Sequence, residues 1–120
     1  MRIRKLAGCR EFITGDGCAM RELANAATEE RSFRYSFARA VVKPAGKTIP
    51  HALKTSETYY ILEGRGRMHI GRESADVGPG DFIDIPPMAS QWIENTGPSD
   101  LVFLCIVDPG WRQEDELEVS

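Results

Sequence analysis

The chain has 120 residues, 42% of them hydrophobic and 28% charged, and this length suits one domain built around one core. Its formal net charge of -3 argues against a protein that binds nucleic acid through a basic face. Three cysteines without a C-x-x-C pair argue against a disulfide framework or a thiolate zinc site, and no apolar run approaches the ~20 residues of a membrane span, so we expect a cytoplasmic protein.

Residues 1–32 are predicted to form a lead-in to the main domain. The basic residues Arg2, Arg4 and Lys5 are interpreted as a solvated strand edge. Two alternatives stay open for residues 20–29. Their alanines and glutamates favour a helix, but the segment could equally be extended and lead into a polar loop.

Residues 33–108 consist of short apolar runs separated by glycine, proline, aspartate and asparagine. This spacing is typical of a β-sandwich or a β-barrel. Gly64, Gly80 and Asn95 are predicted turn residues. We predict six strands in this region, at residues 33–42, 57–63, 67–70, 82–85, 91–94 and 101–107.

Residues 109–120 are predicted to be an acidic tail beyond the barrel. Most of residues 114–118 are acidic, which favours a frayed and solvated segment. Cys105 lies just before this tail, inside the apolar run 101–107, and is interpreted as a small core side chain rather than a nucleophile.

The numbering of polar residues along the predicted strands indicates an inward-facing polar cluster. Side chains alternate between the two faces of a strand, so residues of equal parity share a face. Gln91 and Asn95 share one parity, while Trp92 and Glu94 share the other. A second set of residues, all with odd numbers, would share one face and combine an imidazole, a carboxylate and a phenol with apolar side chains: His51, Leu53, Glu57, Tyr59 and Ile61. Polar groups buried in this way need partners or a ligand.

Two ordered motifs between Gly46 and Asn95 resemble those of the cupins. The first reads GKTIPHALKTSETYYILEG, in which a glycine, a histidine, a glutamate and a glycine match, namely Gly46, His51, Glu57 and Gly64. The second reads GPGDFIDIPPMASQWIEN, with matches at Pro79, Gly80, Asp81, Pro86 and Asn95. The chain resembles small single-domain cupins similar to mannose-6-phosphate isomerase. This resemblance implies an all-β fold, a double-stranded β-helix or jelly-roll barrel with a site inside.

The resemblance also implies a divalent metal, such as Mn, Fe, Ni, Co or Zn, but two of the expected ligands are replaced. Cupins bind the ion through two histidines and a glutamate of the first motif and a histidine of the second. Leu53 stands at the second histidine position and Gln91 at the last one. The metal site expected here is therefore a weakened one, made of His51, Glu57 and Gln91.

Two function classes follow from this weakened site. The first is a metal-assisted isomerase, lyase or dioxygenase-type enzyme acting on a sugar derivative or a small organic acid. Glu57 or Tyr59 would move the proton, and Tyr59, His69 and Gln91 would bind the substrate. The second is a non-catalytic binding module that has lost the metal and keeps a pocket for a small ligand.

A homodimer is expected in either case. Cupin-like chains commonly pair through sheet edges and apolar faces, and the runs 33–42 and 101–107 could serve this purpose. Beyond a small-molecule ligand and a second copy of the chain, we expect neither a nucleic acid nor a membrane as a partner.

Overall fold

The computed structural model describes residues 1, 3–25 and 33–119, and this part of the chain folds into two antiparallel β-sheets. Its regular structure consists of two short 3-10 helices, at Leu6–Gly8 and Gln113–Asp115, and strands β1 Glu11–Ile13, β2 Ala19–Asn25, β3 Ser36–Val42, β4 His51–Leu53, β5 Ser56–Glu63, β6 Gly66–Ile70, β7 Glu73–Val77, β8 Phe82–Ile85, β9 Gln91–Asn95, β10 Leu101–Asp108 and β11 Glu116–Glu118.

The two sheets have the strand orders β1-β2-β3-β10-β5-β8 and β11-β4-β9-β6-β7. Consecutive strands along the chain therefore repeatedly cross from one sheet to the other, as in a double-stranded β-helix. The predicted all-β jelly-roll fold is confirmed. In the described residues no helix is both long and apolar enough to span a membrane.

The core lies between the sheets and follows the alternation of side chains along each strand. In β3 every second residue is buried, from Ser36 to Val42. The central strand β10 contributes Leu101 and Phe103, which are almost completely buried. Strand pairing thus places one face of each strand inside and leaves the other toward solvent.

Of the two alternatives for residues 20–29, the helix is wrong for the described part, because β2 extends to Asn25. Arg21 pairs with Arg39 of β3, and Met20 pairs with Ala40. Pairing with a central strand outweighs the helix preference of alanine and glutamate. Residues 26–29 of this segment lie outside the described residues.

The segments before and after the barrel also differ from expectation. The tail is not frayed, because Glu116–Glu118 form β11 and pair with β4, and the side chain of Asp115 accepts two hydrogen bonds from Arg112 at 2.9 and 3.0 Å. At the other end, Arg4 and Lys5 are exposed, but they precede the 3-10 helix rather than sit in a strand. Arg2 is outside the described residues.

The predicted turn residues Gly64 and Gly80 have the positive φ expected of turn glycines, whereas Asn95 is the last residue of β9 and acts on the following turn through its side chain. Gly64 has a φ of 86°, and a Cβ atom at this position would clash with the carbonyl oxygen of Asp100. Asn95 fixes the next turn, because its amide donates to the carbonyl oxygens of Val42 and Ser99 at 2.9 and 2.7 Å.

Candidate functional site

A cavity of about 270 Å³ opens between the two sheets, and it is the site around which the predicted residues gather. Much of its wall is apolar, formed by Phe12, Ile13, Met20, Ala38, Leu53, Phe103, Val107 and Trp111. Its polar lining includes His51, Glu57 and Tyr59, joined by Asp16 and Cys105. Such a volume fits a small organic molecule.

Strands β4, β5 and β9 bring four of the predicted residues together. His51 pairs directly with Gln91, and Glu57 and Tyr59 lie two residues apart on β5. All four side chains are buried, with 7% or less of each residue exposed. The inward orientation predicted from parity is therefore observed.

Gln91 lies behind the cavity wall and links two of the residues that line it. Its carbonyl oxygen accepts a hydrogen bond of 3.1 Å from the hydroxyl of Tyr59, and its amide nitrogen donates to Oε1 of Glu57. Gln91 is 1% exposed and is not part of the cavity surface. The structure therefore does not bring this predicted ligand to the cavity itself.

Cys105 completes this hydrogen-bonded chain from β10, the strand next to β5 in the same sheet. Its thiol donates to Oε2 of Glu57 over 2.9 Å, so both carboxyl oxygens of Glu57 are occupied. Cys105 is buried, as predicted, but sequence reasoning missed its contact with Glu57. The parity that Cys105 shares with Phe103 and Val107 in β10 indicates an inward side chain but not its partner.

Burial controls the protonation of these groups. It raises the pKa of Glu57, although the hydrogen bonds from Cys105 and Gln91 and the nearby His51 act in the opposite direction. Burial, assisted by the charge of Glu57, also raises the pKa of Tyr59 and that of Cys105 well above their ordinary values. The phenol and the thiol are therefore protonated and act as hydrogen-bond donors near neutral pH.

His51 is oriented by the segment that precedes its strand. Its Nδ1 lies 2.9 Å from the carbonyl oxygen of Ile49, which requires a proton on Nδ1. Nε2 has no hydrogen bond within the described part of the chain and is the atom that His51 can offer to a ligand. Asp16 flanks the ring, with Oδ2 at 3.8 Å from Nδ1.

Asp16 was not recognised from the sequence, because it lies in the turn between β1 and β2, outside both motifs. Its side chain accepts a hydrogen bond from the hydroxyl of Thr14, and its carbonyl oxygen accepts one of 2.9 Å from the backbone of Ile49. This turn is therefore fixed against the segment that carries His51. No pattern in the sequence indicated this contact.

His69 is not brought to the cavity. Its ring stacks on Trp92 with centroids 3.6 Å apart and an angle of 3° between the planes, and its Nε2 lies 3.1 Å from Glu94. The neighbouring Met68 occupies the buried face of β6 instead. Parity explains this, because His69 and its paired residue Trp92 point to the outside of the sheet.

The residues at the family's metal positions do not fit a divalent ion. Leu53 offers an aliphatic side chain, both oxygens of Glu57 accept hydrogen bonds, and Gln91 directs its amide nitrogen toward Glu57. Only the Nε2 atom of His51 is left as a nitrogen donor. In the described ranges no group of three or more histidine, cysteine, aspartate or glutamate side chains is arranged to hold a metal.

Comparisons with known proteins agree with the fold. The family described as "Cupin domain" matches residues 38–107. An uncharacterized protein of Methanocaldococcus jannaschii is 41% identical over 107 residues, which cover 88% of this chain and 85% of the relative. The likeness to mannose-6-phosphate isomerase is not among these findings and stays a prediction.

Two further matches come from Thermotoga maritima. An oxalate-binding protein is 35% identical over 72 residues, covering 59% of this chain and 60% of that protein. The crystal structure of a predicted oxalate decarboxylase superimposes with a TM-score of 0.78 at 24% identity, over 90% of this chain and 99% of the other. At that identity the superposition shows a common fold.

Proposed function

Because the chain belongs to the cupin family, we propose that it binds a small organic molecule in the cavity inside its barrel. This binding takes place without a metal ion at the family's ligand positions. The fold and its similarity to an oxalate-binding protein fit a cupin that handles small molecules.

The hydrogen-bonded chain from Tyr59 through Gln91 and Glu57 to Cys105 is the observation that carries this proposal. It satisfies the buried polar groups without an external cation, which a half-empty metal site would not do. Leu53 supports the same conclusion, because it replaces a ligand by an apolar surface that a ligand's carbon skeleton can contact.

The metal-assisted enzyme predicted from the sequence is the competing function. His51 and Glu57 line one cavity, which is the feature that favours it. The proton-transfer roles predicted for Glu57 and Tyr59 require side chains that are free to exchange protons with a substrate. Both are engaged in the buried chain of hydrogen bonds, which supports a binding role over a catalytic one.

A thermal-shift screen of protein treated with a chelator tests the proposal. We expect small organic molecules to raise the melting temperature and divalent Mn, Fe, Co, Ni and Zn to leave it unchanged. Stabilisation by a metal, with none by any organic compound, would contradict the proposal and favour the enzyme.

A variant that fills the cavity provides the control. Ala38 is buried on β3 and lines the cavity, so Ala38→Phe should abolish stabilisation by organic compounds. Met20→Trp, on the neighbouring and less buried strand, serves the same purpose should Ala38→Phe not fold. Ala75→Phe, on the exposed part of β7, should retain the wild-type response.

A further inference from the structure

We infer that the cavity selects a small organic cation, such as a primary amine carried on an aromatic or aliphatic body, over neutral or anionic molecules. This inference rests on the proposed function, because it specifies the ligand of the same cavity. It follows from the charges and rings that face the cavity, which differ from those expected for an acidic ligand.

The charged groups around the cavity are predominantly acidic. Among the residues that the structure describes, carboxyl groups of four line it, namely Asp16, Glu22, Glu57 and Glu116. His51 is the single basic residue on this surface, and within the described ranges neither a lysine nor an arginine lines it. An anion entering this cavity would meet like charges in a partly desolvated space, where Coulomb repulsion is strong.

Two of the arginines that stand next to lining residues in the chain are directed to other partners. Arg21, next to the lining residue Met20, donates to the carbonyl oxygen of Cys9 at 2.9 Å and lies 3.5 Å from Glu11. Arg112, next to Trp111, is paired with Asp115 at 2.9 Å. Neither side chain offsets the acidic lining of the cavity.

Aromatic rings supply a second feature that favours a cation. Four aromatic residues line the cavity, namely Phe12, Tyr59, Phe103 and Trp111. Tyr59 and Phe103 are packed together, with ring centroids 4.3 Å apart. Ring faces attract cations, most strongly when the site is shielded from water, and they contact the apolar part of a ligand equally well.

The acidic groups and the aromatic rings can contact different parts of one ligand. Glu57 is 5% exposed and lies deep in the barrel, whereas Glu116 is exposed on β11 and borders the cavity from the surface. An amine can therefore meet the carboxylates of Asp16 and Glu116 along its path and the carboxyl group of Glu57, whose pKa burial raises, at the inner end, while its apolar body contacts the rings. Among the described lining residues, His51 is the only basic counterpart that a sugar phosphate or a dicarboxylate such as oxalate would find.

Isothermal titration with three matched probes tests this selectivity. Phenethylamine, 2-phenylethanol and phenylacetate share one ring and one short chain but carry a positive, a neutral and a negative group near pH 7. In a phosphate buffer free of amines, we expect phenethylamine to bind about tenfold or more tightly than the alcohol, and phenylacetate to bind weakest.

The outcomes separate this inference from the function on which it rests. Equal binding of the three probes, or a preference for phenylacetate, would overturn the charge selectivity and leave the binding function intact. If no probe binds at millimolar concentration, both the binding function and its selectivity are overturned. Binding that persists in Ala38→Phe would place the probe outside the cavity and overturn the inference.

Removal of single charges provides an independent test. Glu116→Gln should weaken phenethylamine about three- to tenfold and leave 2-phenylethanol unchanged. Glu114→Gln is the matched control, because Glu114 lies 3.4 Å from Arg112 on the surface and does not line the cavity. If Glu116→Gln weakened the binding of phenethylamine and 2-phenylethanol equally, the role of charge would be overturned. The same holds if Glu116→Gln and Glu114→Gln weakened phenethylamine equally.

Discussion

Glu57 is a buried carboxyl group whose hydrogen-bond partners are an amide and a thiol. Gln91 and Cys105 each occupy one of its oxygens, and neither partner carries a positive charge. Burying a carboxylate with neutral donors alone is costly, because hydration is lost without full compensation. The free energy of unfolding is therefore expected to depend on pH through the ionisation of Glu57.

Glu57→Gln should remove a pH-dependent loss of stability. Because the pKa of Glu57 is raised in the folded state, its ionisation favours unfolding, and wild-type stability falls as pH rises above the ordinary value of 4.5. The free energy of unfolding of the variant should rise relative to wild type over this range, by about 1.4 kcal/mol per unit of pKa displacement. Urea denaturation between about pH 4 and pH 8 measures the free energy of unfolding of both proteins. A difference between variant and wild type that stays constant over this range would contradict the prediction.

Tyr59→Phe should destabilise the fold while Tyr60→Phe should not. The first change removes the hydroxyl that donates to Gln91 and leaves a buried carbonyl oxygen unpaired, at a cost of about 1–3 kcal/mol. Tyr60 is 43% exposed on the opposite face of the same strand, so its loss should stay within about 0.5 kcal/mol. Chemical denaturation compares the free energies of unfolding of the two variants. Equal losses would contradict a stabilising role for the hydrogen bond from Tyr59 to Gln91.

At the scale of elements, β4 and β9 determine whether this barrel can hold a metal. They place Leu53 and Gln91 where the cupin resemblance implies histidines, and His51 pairs with Gln91 across the two strands. The remaining framework of His51 and Glu57 is already inside the barrel. Two substitutions should therefore be enough to change the chemistry of the site.

Leu53→His combined with Gln91→His should create a site for divalent metal. The double variant supplies three imidazoles and a carboxylate, a donor set that suits Ni, Co and Zn. We expect these ions to raise its melting temperature by several degrees, with no effect on wild type. Either single variant should respond less than the double, and an unresponsive but folded double variant would count against this account of the metal positions.

The strands that the sequence revealed are those with long alternating or apolar patterns. The predictions at 82–85 and 101–107 match β8 and β10 to within one residue. Of the missed strands, β1, β4 and β11 have three residues each, too few for a period to be visible. The strand β7 was also missed, because four of its five residues are exposed and show no alternation. The missed strands exist because neighbouring strands provide a paired edge, which is tertiary information.

The site was predictable to the extent that it lay in the two motifs. Parity placed His51, Glu57 and Tyr59 inside correctly. Asp16 and Cys105 came from distant segments, and only the fold shows that they meet Glu57 or His51. Their contributions depend on strand crossovers that no local pattern encodes.

At the scale of the whole molecule, the outer face of the six-stranded sheet carries an apolar patch near its β8 edge. Tyr60, Leu62 and Phe82 are 43%, 38% and 67% exposed on β5 and β8. The homodimer predicted from the sequence was expected to use the runs 33–42 and 101–107, which form β3 and β10 of the same sheet. A second copy of the chain is the expected occupant of the neighbouring apolar patch.

Phe82→Glu should shift the predicted homodimer toward monomer. The change places a charge in the apolar face, whereas Ile49→Glu alters a residue that is 60% exposed outside this sheet and serves as control. Sedimentation velocity at micromolar concentration measures both. A wild-type protein that is monomeric there would contradict the dimer.

Strands β1 and β11 have a consequence for the kinetics of exchange. Each is an edge strand of three residues held on one side only, and residues in or beside them, including Phe12 and Glu116, border the cavity. Edge segments detach at a far lower free-energy cost than central strands. A molecule enclosed in the barrel can therefore leave by brief fraying at the rim, so its residence time is set by this local opening and not by the lifetime of the folded state.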